Sequence, residues 1–387
     1  MPEEPKSGPG PGCAGPLVPC AMTGAAACLC GFSGIGVIVH GASGCFYHPA
    51  SLLHSKDLFC TYLTEEEVVF GAEERLLSLV QELAPRYPRL AVMNTCVPAI
   101  MGEDLSSLFG DLPVMVIDCP GFTGGADAGY LTALAALAPQ VDPEADGIGI
   151  DGISRIDPFW RGNRDEAIRL LRLAGVGPGT IFAADTISAV DQASRYSVST
   201  NPDLAAPAGD SCGSLLGLNQ VRTTFARLAD RDPGVDCEAI VNEITDAEER
   251  IVRACDKYLV RFDPPTVAVF GGYAYAMAAT DLLKQYLGAE VVAIGVRGTP
   301  PPEAGPGVSE ATGLDQVARL LERAGPDLVL GSSFEERLCP GAAFVGYAPP
   351  IRGQVRLSAR PSAGVEGALA LIEAVLNASI DHARAHR

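Results

Sequence analysis

Short apolar runs recur along the whole of this chain, each closing in a glycine- or proline-flanked turn and each followed by a helical pattern. That alternation restricts the fold to open parallel sheets covered by helices, because parallel strands need a crossover between them. The first block places strands at 36–39, 90–94 and 114–118, with helical stretches at 50–53, 70–83, 99–108 and 129–138. The second opens at 147–150 and continues through a helix at 163–173, a strand at 180–183 and a helix near 211–229. A charged amphipathic helix over 236–261 braces or links domains. The third block begins at Pro265, with helices at 274–287, 314–324 and 365–378, strands at 290–295 and 328–330, and a frayed tail from 379. We expect an α/β protein of three Rossmann-like, doubly wound parallel-sheet domains at 20–146, 147–262 and 263–387, after a flexible segment at 1–19.

A chain of 387 residues exceeds one ordinary core, and its 48% hydrophobic against 19% charged content excludes a disordered chain. The net charge of −19 argues against nucleic acid, a polyanion that such a chain repels. Lysine occurs only at 6, 56, 257 and 284, so no basic membrane patch is expected. The first twelve residues lack an apolar signal core, and no apolar run reaches the roughly 18–20 residues that span a bilayer. These features suit the cytoplasm, where cysteines stay reduced, and twelve cysteines point to metal chemistry or an anaerobic habitat. Most of the twelve are expected to be small buried hydrophobes.

Three of them stand apart. Cys20, Cys45 and Cys96 each lie in a turn flanked by glycine or proline, and two of those turns follow apolar strands. Thiols at the carboxyl ends of parallel strands face the ligand-binding edge of such a sheet. Soft thiolates are the ligands that iron–sulfur clusters prefer. Three are one short of a cuboidal cluster, and a second subunit would complete the set.

Other motifs say less. None of the four lysines follows a glycine, so no phosphate-binding loop of the G-x-x-x-x-G-K-[ST] type is present and ATP hydrolysis by that route is not expected. The glycines of Gly31–Gly36 precede their strand, the wrong context for a dinucleotide. A zinc site from Cys28 and Cys30, or from Cys45 and His48, is disfavoured because Cys-x-Cys is tighter than structural zinc spacing. His40 reads as a core or turn residue. Around the sole tryptophan, Trp160 and Arg161 could mark a ligand or subunit interface. We favour a turn capped by Asp157, with Asn163 opening the next helix.

Taken together these segments resemble nitrogenase component 1 and its relatives from residue 20 onward. Cys20 sits in C-A-x-x-G, Cys45 in H-G-x-x-G-C, and Cys96 in Thr95-Cys96 running to Gly102-Glu103-Asp104. The segment from Thr61 to Gly71 carries Glu67 where the family has Asp, and Cys119-Pro120-Gly121-Phe122-Thr123-Gly124 resembles a family turn. Gly331 to Glu335 and Gly364 to Leu369 match its closing segments. The resemblance implies that Cys20, Cys45 and Cys96 bind an interface iron–sulfur cluster, either 4Fe–4S or an eight-iron cluster of the P-cluster kind. It also implies electrons from a separate ATP-hydrolysing iron protein, and a homodimer or a heterodimer with a sibling subunit.

Nitrogenase holds its iron–molybdenum cofactor with a cysteine and a histidine. Histidine occurs here only at 40, 48, 54, 382 and 386, so the histidine ligand has no counterpart, although Cys212 lies in the region of the cysteine. No molybdenum cofactor is expected, and a substrate other than dinitrogen follows. Compact relatives reduce tetrapyrroles, including protochlorophyllide and nickel-sirohydrochlorin diamide. The reading is therefore an oxidoreductase acting on such a substrate. The alternatives are a scaffold for assembling a complex cluster and a binding protein with a structural cluster. Catalytic acids are not assigned; Glu103 and Asp104 could cap or brace the helix after Cys96.

Overall fold

The computed structural model describes residues 17–110, 112–206 and 208–385. Cys13, His386 and most of the expected N-terminal flexible segment lie outside the described residues. The described chain holds three sheets, and every strand pairing within them is parallel.

The first sheet begins after helix α1 (Ala21–Leu29). It contains β1 (Ile35–His40), α2 (Ser43–Leu53), β2 (Leu58–Cys60), α3 (Glu65–Phe70), α4 (Glu73–Leu83), β3 (Arg89–Asn94), α5 (Cys96–Met101), β4 (Val114–Asp118) and α6 (Ala126–Ala136). Its strand order is β2-β1-β3-β4. All six residues of β1 are buried, because helices cover both faces of a parallel sheet. One face packs Ile38, Leu90 and Val92 against Leu76, Val80 and Leu83 of α4. Each such side chain contributes about 1.5–3 kcal/mol on full burial.

The second sheet is built from β5 (Ile148–Asp151), α7 (Trp160–Leu173), β6 (Pro178–Ile181), β7 (Tyr196–Ser199), β8 (Asp210–Ser214), α8 (Leu218–Arg231) and the long α9 (Cys237–Leu259). Its order is β6-β5-β7-β8. The third comprises β9 (Thr266–Gly271), α10 (Tyr273–Leu287), β10 (Glu290–Val296), β11 (Val308–Glu310), α11 (Leu314–Ala324), β12 (Leu328–Gly331), α12 (Ser333–Leu338), β13 (Ala343–Gly346) and α13 (Gly364–Ala385). Its order is β11-β10-β9-β12-β13. Here Glu335 caps α12 by accepting from the Ser332 backbone N–H at 2.7 Å and pairs with Arg297 at 2.6 Å in a buried bridge.

The described residues up to Pro139 form one compact unit with Ala183–Val190; Gln140–Phe182 and the chain from Asp191 onward form the other, which holds the second and third sheets. Several local readings are corrected. The stretch 211–217 is strand β8 and its turn, not helix, because Ser211, Gly213 and Ser214 pair with β7, with Cys212 at the register shift between them. Helix α7 opens at Trp160, not Asn163. Residues 379–385 of the tail are helical rather than frayed, since α13 runs on to Ala385. Helix α1 and strands β2 and β7 were not anticipated, being alanine-rich or very short.

Candidate functional site

The switch point of the first sheet lies between β1 and β3, where the strand order reverses direction, and a crevice at such carboxyl ends is the usual ligand position. Every strand of that sheet ends near a cysteine. Strand β1 leads through Gly41 to Cys45 in the first turn of α2, β2 ends on Cys60, β3 leads into Cys96, and β4 is followed by Cys119. Cys20 caps α1 and forms an isolated bridge with Gly125, beyond β4. The cysteines at 20, 45 and 96 are half-buried, whereas Cys60 and Cys119 are buried.

Electrostatics show that these thiols share one region. Burial raises the Cys45 thiol pKa, and negative charge on Cys96 and Cys20 raises it further. Burial likewise raises Cys119, with Cys20, Asp118 and Cys96 adding to it. Cys60 is pushed up to about 11, by burial first, with a contribution from Cys45. Sequence reasoning therefore placed Cys20, Cys45 and Cys96 together, and missed Cys60 and Cys119 as their neighbours. The missed signal was the same one, a cysteine at the end of an apolar strand.

Cys20 is held by helix–helix contact that only glycine permits. An added Cβ at Gly24 would overlap the Ala126 carbonyl of α6, and one at Gly129 would overlap the Ala21 carbonyl of α1. The Ala21 N–H donates to the Gly124 carbonyl at 3.0 Å. Thr23 Oγ1 lies 3.6 Å from Cys20 Sγ and 3.4 Å from His48 Nδ1. Burial lowers the His48 pKa. On the opposite side, the Gly121 N–H donates to Cys96 Sγ at 3.0 Å.

His40 is a core residue with a bracing role. It is fully buried, with Nε2 2.7 Å from Glu103 Oε2 and Nδ1 3.2 Å from Thr61 Oγ1. Thr95 Oγ1 donates to the His40 carbonyl at 2.7 Å. Glu103, which follows α5, thus ties the turn before Cys45 to the helix that starts at Cys96.

The donor set fits an iron–sulfur cluster. Its atoms are soft sulfurs, and a backbone N–H already points at one of them. Among the described residues, no three His, Cys, Asp or Glu side chains converge tightly enough for a single metal ion. A multi-iron group gives each thiolate its own iron and suits wider spacing. The remaining cysteines differ. Cys28 is fully buried and its thiol is raised by burial, which disfavours the thiolate that zinc needs. Cys212 is buried on β8, with Arg231 Nη1 3.5 Å from its sulfur.

The other compact unit holds a second notable carboxyl. Asp151, at the end of β5, is 1% exposed, and burial raises its pKa from 3.8 to about 6. A folded-state pKa above the unfolded value stabilises the fold below about pH 4, and that contribution is lost as pH rises through 6. Asp151→Asn removes this titration. We expect the variant to gain on the order of 2 kcal/mol relative to wild type between pH 4 and pH 7, measured by urea unfolding across that range. An unchanged difference between the two pH values would refute the assignment.

The family model for nitrogenase component 1 type oxidoreductases matches residues 20–198 and 209–380. The chain is 28% identical over 203 residues to the nitrogenase molybdenum-iron protein beta chain of Frankia alni, covering 46% of this chain and 38% of that one. It is 24% identical over 302 residues to the nitrogenase iron-molybdenum cofactor biosynthesis protein NifE of Clostridium pasteurianum, covering 67% and 64%. NifE of Bradyrhizobium diazoefficiens matches at 31% over 138 residues, covering 32% of this chain and 25% of that protein. The chain thus aligns with less than two thirds of the length of each of these relatives. The solved structure of nitrogenase Cp1 at pH 6.5 superposes with a TM-score of 0.80 at 16% identity over 100% of this chain and 96% of that one, a likeness of fold.

Fold and sequence together define an α/β protein of several parallel sheets, the first with cysteines at or just beyond the carboxyl ends of its strands. The chain belongs to the nitrogenase component 1 type oxidoreductase family. No helix among the described residues is long and apolar enough to cross a membrane.

Proposed function

We propose that this chain is the electron-transferring catalytic subunit of a nitrogenase-like reductase, with an iron–sulfur cluster held by Cys20, Cys45 and Cys96. The observation that carries the reading is the gathering of those three thiols at the carboxyl edge of one sheet, where Cys45 lies within electrostatic reach of both Cys96 and Cys20. When bound, the cluster supplies one-electron transfer. The chain's own residues do the rest. The Gly121 N–H stabilises negative charge on the Cys96 sulfur, and the His40–Glu103 pair fixes the turn carrying Cys45. Apolar packing of α1 against α6 holds Cys20 and excludes water. Electrons come from a separate ATP-dependent iron protein, and the substrate is one other than dinitrogen, with a tetrapyrrole as the leading candidate. Each sheet is the centre of one Rossmann-like domain, at 20–146, 147–262 and 263–387, and the protein works in the cytoplasm.

A second reading has its own support: relatives in the comparison include NifE, named for cofactor biosynthesis, which favours a scaffold for cluster assembly. Anaerobic purification with iron and sulfide analysis and EPR tests the cluster. Turnover of an organic substrate with the iron protein separates reductase from scaffold.

Three thiolates leave a cuboidal cluster one ligand short, so the working unit is at least a dimer across the cluster. We expect anaerobic light scattering to give a dimer or larger for iron-loaded protein, with dissociation when iron is chelated. A monomer that keeps its cluster and redox activity rules this out and directs attention to Cys119 or Cys60 as a further ligand.

A further inference from the structure

In a chain with a net charge of −19, arginines crowd the amino end of α7. Three guanidinium groups lie against one indole: those of Arg155, Arg161 and Arg164 stand 5.5, 5.1 and 5.6 Å from the centre of the Trp160 ring. Two more arrive from a distant stretch of sequence. Arg356 lies 4.8 Å over the ring of Phe159, the residue preceding Trp160. The Arg360 backbone packs so closely on the first turn of α7 that a Cβ on Gly162 would collide with it.

This juxtaposition is built into the fold. The segment with Arg155 follows β5 and the one with Arg356 and Arg360 follows β13, so both issue from the carboxyl ends of parallel strands, in two sheets of the same compact unit. Asn163 on α7 locks them together, its Oδ1 accepting from the Ser362 and Ala363 N–H groups at 2.8 and 3.0 Å.

Arginines outnumber the carboxylates set against them here, Asp157 near Arg356 and Asp165 beside Arg164. Arg164 pairs with Asp165 at 2.7 Å, but Arg161, Arg356 and Arg360 make no ion pair among the described residues. Helix α7 has 14 residues and no acidic side chain in its first turn, so its own positive end adds to the field. Burial lowers the Arg356 pKa and the charge of Arg360 lowers it further, while the Asp157 carboxyl opposes both. Like charges gathered on two anchored segments repel, and a multivalent anion between them relieves that repulsion. Guanidinium forks match carboxylate and phosphate oxygens two at a time. The Trp160 face orients them by cation–π contact.

We propose that the amino end of α7, with Trp160 and the arginines at 155, 161, 164, 356 and 360, is a binding site for a small organic polyanion carrying two or more carboxylate or phosphate groups. The site lies in the unit without the thiol edge and does not depend on a bound cluster.

Trp160 is the only tryptophan, so its fluorescence reports on this site alone. The full chain, prepared both iron-loaded and iron-free, is titrated with tricarballylate and with pyrophosphate, following Trp160 emission and heat of binding. We expect a saturable change with at least one anion in both preparations, and the tighter of the two identifies carboxylate or phosphate as the recognised group. Arg161→Gln and Arg360→Gln, at exposed positions, are expected to weaken binding by about tenfold or more each, while Arg319→Gln on α11 leaves it unchanged. No saturable response to either anion in either preparation overturns the proposal. Equal weakening by Arg319→Gln also overturns it, because that pattern is general charge attraction. Failure here leaves the cluster reading intact, since iron content is measured separately.

Discussion

Cys45→Ser and Cys96→Ser should each lose most of the bound iron and acid-labile sulfide, while Cys237→Ser keeps both. Cys45 and Cys96 sit at the shared sulfur edge, where burial and neighbouring thiolates raise Cys45 and only a bound metal would hold it deprotonated. Serine offers a hard, poorly ionised oxygen in place of a soft sulfur. Cys237 is the first residue of α9, in the other compact unit, where Asp236 caps the helix by accepting from the Ala239 N–H at 3.0 Å. Iron and sulfide analysis with EPR on anaerobic preparations is the measurement. Equal loss in Cys237→Ser would mean that iron content follows fold integrity and not ligation.

Gly129→Val should destabilise the thiol-bearing unit by about 3 kcal/mol or more and lower iron content with it. The glycine is buried on α6, and a Cβ there would occupy the position of the Ala21 carbonyl oxygen, one residue after Cys20. No side-chain rotation relieves a clash with backbone, so α1 must move away from α6 and carry Cys20 off the edge. Ala128→Val on the exposed face of the same helix is the control, with a change within roughly 0.5 kcal/mol. Urea unfolding followed by circular dichroism tests both, and a Gly129→Val midpoint equal to that of wild type would remove the close-packing argument.

These two experiments separate what kinds of information the residues carry. The parallel-sheet class was legible because buried strands such as β1 are continuous apolar runs, and their period does not depend on distant partners. The three candidate thiols were legible for the same reason: the turn after a strand is a local event with a known edge. Helix α1 was not, since Ala21–Leu29 lacks an amphipathic period and all nine residues are buried against neighbours that come later in the chain. Strand β8 was read as the opening of the helix that in fact starts at Leu218, although the glycines at 209, 213 and 217 speak against helix; pairing with β7 decides it.

Local chemistry, written in consecutive residues, determined the strand ends, the turns and therefore which sulfurs lie on the ligand edge of the first sheet. Tertiary structure alone decided the company those sulfurs keep. Cys60 and Cys119 join them because adjacent parallel strands align their carboxyl ends, whatever their separation in sequence. His40 meets Glu103 at 2.7 Å across 63 positions, and Asn163 meets Ser362 across 199, for the same reason. A local pattern sets backbone direction through sterics and solvent exclusion, whereas long-range pairs form only after loop closure has brought already directed elements together.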